Sequence, residues 1–272
     1  MTDAPAALPL WPAGAMPVVE AAADAPDELP RLTPFLLPTG KPKACIIVCP
    51  GGGYHMRAAH EGAPVSQWLN KLGLASVVLD YRVKHRYPAS LQDARRAVQT
   101  VRHRASEWNI DPARVGILGF SAGGHLAASA ATLFVEGDAS ANDPIVRQSS
   151  RPDAAVLCYA VLSAAPDIRH GGSIAMLLGN EPWSETARRQ VSLELMVTPR
   201  TPPCFLWHTH DDSGVPVANS LRFAEALAAA KVACELHVYP QGRHGLGLAG
   251  DEPTVSQWTD QCSRWLADLG WR

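Results

Sequence analysis

Charge is scarce in this chain. Charged side chains are 18% of the 272 residues, and 24 Lys and Arg against 26 Asp and Glu leave a formal charge of −2. That fraction is below the usual quarter, and the balance offers no electrostatic footprint for nucleic acid or for an anionic membrane. Long apolar runs are missing too, since none approaches the ~20 residues of a membrane span. The opening Met1-Thr2-Asp3-Ala4-Pro5 lacks the basic start and following apolar stretch of a secretory leader, which reads as cytoplasmic. Nor is there a disulfide framework. Cys45, Cys49, Cys158, Cys204, Cys234 and Cys262 are scattered, and five of them sit in or beside apolar runs, as reduced, buried thiols do. Cys45 and Cys49 share one strand-like run with no second pair downstream, which excludes a zinc site there. What the chain does have is apolar content, 47%, enough to exclude disorder. A chain of this size buries roughly 75% of its unfolded surface and needs no staples.

The first forty residues are rich in Pro and Ala, and proline removes ladder donors, so 1–40 reads as an extended arm packed on the domain, with at most short edge strands. Beyond it, near-continuous apolar runs at 44–48, 75–79, 115–118, 154–159, 204–207 and 234–238 have the pattern of strands buried on both faces. Helical patterns fall between them at about 63–72, 91–108, 122–133, 217–230 and 255–269. The second, with Leu91, Ala94, Val98, Val101 and Ala105 at helical spacing, is expected to stop before Asp111-Pro112. This alternation predicts an α/β domain over 41–272 with a mostly parallel sheet and helices on both faces. Residues 144–200 carry one strand and several short helical pieces, and are expected to form a substrate-side insertion at the C-terminal edge of the sheet.

The sharpest motif is Gly119-Phe120-Ser121-Ala122-Gly123-Gly124, placed between a strand and a helix. A G-x-S-x-G elbow needs that context: the strained turn lifts the hydroxyl above the sheet edge and aims a helix N-terminus at it. Ser121 is the candidate nucleophile. Upstream, Cys49-Pro50-Gly51-Gly52-Gly53-Tyr54 ends another strand, where esterases place an HGGG-type loop of backbone donors. Gly52, Gly53 and Ala122 are therefore the candidate oxyanion-hole donors, and Tyr54 a candidate substrate contact. Pro50 stands where that motif has histidine, so the bracing bond of that histidine is absent. No Lys-Ser or Lys-Thr follows at phosphate-loop spacing, and no G-x-G-x-x-G occurs.

Downstream of Ser121, the run 204–207 ends in His208-Thr209-His210-Asp211-Asp212, with two carboxylates at a strand's C-terminal end. Later, Gly242-Arg243-His244-Gly245 puts a histidine between glycines, free to reach over the sheet as a general base. The rejected member of Asp211 and Asp212 is expected to be solvated or to cap the helix near Pro216. His125 reads as a packing or hydrogen-bonding residue. The segment His208-x-His210-x-Asp212 also matches most of a metallo-β-lactamase-type metal motif, but Ser213 stands at its last position and both glycine motifs would be left unexplained.

Together with His60-Glu61-Gly62, Asp80-Tyr81-Arg82, Asp93-Ala94-Arg95-Arg96-Ala97-Val98 and the segment Asp212 through Pro216, these motifs make the chain from about Pro42 onward resemble α/β-hydrolase-fold serine esterases of the acetyl xylan esterase-like type, the bifunctional feruloyl and acetyl-xylan esterases. In such enzymes the acid is the aspartate of a D-x-x-V-P segment, which selects Asp212, and proline in place of the HGGG histidine is usual. The resemblance implies a Ser121-His244-Asp212 triad, no metal or organic cofactor, and a small acyl ester as partner, carried on a sugar or xylo-oligosaccharide. A cytoplasmic setting points to imported oligosaccharides rather than polymeric xylan. A prolyl-oligopeptidase-like peptidase shares the triad but carries a large extra domain for which there is no room. A non-catalytic binding protein on the same fold commonly lacks a triad member. The sequence sets no oligomeric state.

Overall fold

A computed structural model describes residues 6–26, 29–38 and 40–272; the first five residues, read above as lacking a leader, lie outside them. Strands run Leu8–Pro9 (β1), Arg31–Phe35 (β2), Lys43–Cys49 (β3), Ala75–Asp80 (β4), Ile110–Phe120 (β5), Ala155–Cys158 (β6), Cys204–Thr209 (β7) and Cys234–Tyr239 (β8). Helices run Ala63–Lys71 (α1), Ala89–His103 (α2), Ser121–Thr132 (α3), Gly171–Leu178 (α4), Glu185–Gln190 (α5), Ala218–Ala229 (α6) and Trp258–Asp268 (α7). One eight-stranded sheet has the order β1-β2-β4-β3-β5-β6-β7-β8. From β4 to β8 every pairing is parallel; β1 and β2 add antiparallel at the β4 edge.

The apolar runs become strands because both faces are covered, except 234–238, which forms the edge strand β8 and is exposed or half-buried along its length. Along β3, Ile47 joins a core with Val98 of α2, Leu126 of α3 and Phe223 of α6, while Ile46 and Val48 join one with Leu69 of α1 and Trp258 and Leu266 of α7. Each such side chain gains roughly 1.5–3 kcal/mol on burial. The described part of the arm is fastened to the domain. Trp11 Nε1 donates to Asp93 Oδ1 at 2.8 Å, and Arg82 Nη1 donates to the Pro17 carbonyl at 2.7 Å.

Two expectations change. The second helix ends at His103, not 108, because the Ala105 N–H tightens onto the Arg102 carbonyl; a separate turn then brings the Trp108 N–H onto Arg104, and Asn109 takes a left-handed φ of 53°. Asp111 and Pro112 then lie inside β5, where the register against β3 shifts. All six cysteines are free, and Cys234, at the start of the β8 edge strand, is exposed. Among the described residues no helix is long and apolar enough to cross a membrane.

Candidate active site

The C-terminal ends of β3, β5, β7 and β8 lie along one edge of the sheet, and each delivers one part of the site. β5 passes straight into α3 at Ser121, whose φ of 52° is a conformation that L-residues rarely adopt. The turn is possible only without neighbouring side chains: a Cβ on Gly123 would stand 2.1 Å from the Cys49 carbonyl oxygen. His244 Nε2 lies 2.8 Å from Ser121 Oγ, and His244 Nδ1 lies 2.7 Å from Asp212 Oδ2. With the Nδ1 proton donated to the carboxylate, Nε2 faces the hydroxyl as an acceptor. Close passage of the imidazole also needs a bare backbone at Gly214, where a Cβ would be 3.0 Å from His244 Cγ.

Asp212 is placed by its own loop. Its Oδ1 accepts the N–H groups of Gly214 and Val215 at 2.8 and 2.9 Å. Burial would raise its carboxyl, but the His208 ring 3.5 Å away and the hydrogen bonds from His244 and the Val215 N–H outweigh it and hold the group well below the usual carboxylate range. It therefore remains an anion facing the imidazole. His208 is buried, with Nδ1 against Ser220 Oγ at 2.8 Å and Nε2 donating to the Val215 carbonyl at 2.9 Å, while His210 is exposed. Asp211 is exposed, as expected of the rejected carboxylate, and its Oδ1 also accepts the Gly242 N–H at 2.8 Å, tying the histidine loop to the end of β7.

The glycine loop abuts Ser121: a Cβ on Gly51 would stand 3.1 Å from Ser121 Cβ. Gly52 and Gly53 take φ of 123° and 64°, and the Gly52 carbonyl turns back to accept the N–H groups of His55 and Met56. Ala122 follows Ser121 in the first turn of α3, where the helix dipole favours negative charge. In place of a histidine brace, the Tyr81 hydroxyl donates to the Pro50 carbonyl at 2.6 Å.

Tyr54 requires correction as a substrate contact. It is 1% exposed, and its hydroxyl donates to His125 Nδ1 at 2.8 Å, so it anchors the loop from below. His125 passes the bond on, its Nε2 donating to the Val191 carbonyl at 3.0 Å, and burial lowers it to about 4. From the 144–200 stretch, α4 comes over the glycine loop, with Ser173 Oγ 4.0 Å from where a Cβ on Gly53 would stand.

Sequence reasoning did not single out Glu61, which lies at the glycine loop. It is 2% exposed and its Oε2 accepts the Gly51 N–H at 2.7 Å. The available signal was a carboxylate within His60-Glu61-Gly62, just before a helix whose face is buried.

Comparison with known proteins gives a consistent group. A family profile described as BD-FAE matches residues 36–227. The crystal structure of an acetyl ester-xyloside bifunctional hydrolase from Caldicellulosiruptor lactoaceticus is 47% identical, with a TM-score of 0.94, covering 100% of this chain and 99% of that one. Endo-1,4-beta-xylanase B of Butyrivibrio fibrisolvens is 39% identical over 82% of this chain and 36% of its own length. An acetylxylan esterase of Xylanibacter ruminicola is 35% identical over 86% of this chain and 46% of its own. The chain thus spans less than half the length of these two curated relatives.

Proposed function

The chain belongs to the BD-FAE family of α/β-hydrolases, and from that premise we propose that it is a serine carboxylesterase releasing acetyl or other short acyl groups from decorated sugars or xylo-oligosaccharides. The observation that carries the reading is the unbroken hydrogen-bonded series Asp212–His244–Ser121 beside the glycine loop. His244 takes the Ser121 proton as Oγ attacks the ester carbonyl. The oxyanion is met by the N–H groups of Gly52, Gly53 and Ala122, each worth roughly 3–4 kcal/mol in the transition state. The imidazolium, held by Asp212, then protonates the departing alcohol. Water, deprotonated by the same imidazole, attacks the acyl-enzyme and releases the acid, returning the proton to Ser121. The scheme draws on no metal or organic cofactor.

The names of the relatives, an acetylxylan esterase and an acetyl ester-xyloside hydrolase, support the sugar-linked acetyl substrate. The position of α4 over the glycine loop supports 144–200 as the segment that lines the substrate side, and 41–272 as one catalytic unit with 1–40 fastened to it. Six unpaired thiols support a reducing, cytoplasmic setting. The test is a panel of acetylated xylo-oligosaccharides, aryl esters of increasing acyl length and aminoacyl amides, run with wild type and Ser121→Ala. Acetyl esters are expected to lead, and Ser121→Ala to lose at least about 10⁴-fold in kcat. A fully active Ser121→Ala, or preference for the amides, contradicts the reading.

A further inference from the structure

The reaction needs two loops in place at once: the glycine loop after β3 and the histidine loop after β8. Three strands, β5, β6 and β7, separate them in the sheet. Buried hydrogen bonds nevertheless join them through Glu61. Its Oε2 accepts the Gly51 N–H at 2.7 Å, one residue from Gly52. Its Oε1 accepts the Tyr159 O–H at 2.5 Å, and the Tyr159 oxygen accepts the Gly247 N–H at 2.8 Å, three residues past His244. The Tyr159 ring stands edge-on to the His244 imidazole, with centroids 5.0 Å apart. Beside Glu61, His60 Nε2 donates to the Gly245 carbonyl at 3.0 Å.

We propose that Glu61 is a positioning residue, whose carboxylate, acting through Tyr159, locks the glycine loop and the histidine loop into one register over Ser121. The proposal rests on the triad reading given above.

The polarity of the bonds makes the carboxylate specific. Both of its oxygens accept, one from an amide and one from a phenol, and the phenol oxygen in turn accepts an amide proton. Burial, together with the Glu61 carboxylate, pushes the Tyr159 hydroxyl well above its ordinary value, so it remains a donor. A glutamine has one acceptor and one donor on its head group. Turned either way, it sets an N–H against the Gly51 amide or leaves the Tyr159 proton without its acceptor. The space is equally exact in its demands: a Cβ on Gly51 would stand 2.7 Å from Glu61 Oε2 and 2.8 Å from the Phe120 carbonyl oxygen. A carboxylate that served only to hold the fold could sit anywhere along these strands. This one touches the backbone next to the proposed oxyanion donors and, through one phenol, the loop that carries the base.

The test compares wild type, Glu61→Gln, Tyr159→Phe and the double variant on p-nitrophenyl acetate, well below each melting transition. Rates are normalised to sites titrated with diethyl p-nitrophenyl phosphate. Each single variant is expected to lose about 10- to 100-fold in kcat with KM changed by less than about threefold, the signature of misplacement in the transition state. The double variant is expected to lose no more than the worse single, because both break one linkage. Per-site kcat equal to wild type, or losses that multiply in the double variant, overturns the proposal. Should Glu61→Gln not fold, Tyr159→Phe keeps the ring and carries the same readout. Failure of the phosphate to label Ser121 in wild type refutes the triad reading itself, a result distinct from full activity in labelled Glu61→Gln.

Discussion

Two buried polar networks lie at different parts of this molecule, and they are built to opposite ends. Under the arm, Arg82 is 3% exposed and spends its guanidinium on Asp93, Gln92 and the carbonyls of Pro17 and Ala89, while Asp93 also takes the Arg82 N–H and Trp11 Nε1. That network closes on itself. The other starts in the same way, with Asp212 satisfied by Gly214, Val215 and His244, but it ends at the Ser121 hydroxyl, and the His244 side chain keeps 28% of its exposure. A closed network fastens; one that ends on a hydroxyl in a strained turn can pass a proton to something arriving from outside.

The contrast is sharpest in paired substitutions. Asp212→Asn keeps the shape but offers the imidazole the wrong partner, and is expected to cost about 10⁴-fold in kcat with a modest change in the urea midpoint. Steady-state kinetics alongside urea unfolding measures both; a variant that turns over normally breaks the assignment of Asp212. Asp93→Ala is expected to do the reverse. Burial raises the Asp93 carboxyl in spite of Arg82, the sign of a pair whose desolvation outweighs its attraction. Removing the acid still strands a buried guanidinium, at about 3–5 kcal/mol. Urea unfolding should register that loss while kcat per folded molecule stays close to wild type. A large fall in kcat at low urea would erase the distinction between the two regions.

His125 tests an intermediate case, a closed network directly beneath the open one. Burial lowers it from 6.5 to about 4, so the unfolded chain binds a proton in that interval that the folded chain refuses. Stability must then fall as pH drops from 6.5 toward 4, by up to ~3 kcal/mol from this group, and is fully present above 6.5. His125→Gln should flatten that slope relative to wild type. Parallel slopes in the two proteins would mean that His125 is not held neutral by its surroundings.

Much of the fold was legible because parallel strands buried on both faces write continuous apolar runs, and those at 44–48, 75–79 and 204–207 fall within β3, β4 and β7. The elbow was legible for a related reason: a turn this tight admits few side chains, so its glycines stand out. What escaped was carried by contacts with no spacing. Glu61 meets Gly51 and Tyr159 through a backbone amide and a phenol 98 residues away. Tyr54 stood next to the glycines and read as a substrate contact, because nothing in the chain shows that its hydroxyl turns down to His125. The helix end at His103 was missed because the residues after it keep an apolar spacing that the turn at Trp108 also satisfies.

The central claim is that the open network delivers a covalent nucleophile. Reaction with diethyl p-nitrophenyl phosphate followed by peptide mass spectrometry tests it directly. One diethylphosphoryl group is expected, located on Ser121, with activity lost in proportion to its incorporation. Full modification at any other residue, or full modification of Ser121 with activity retained, would contradict it.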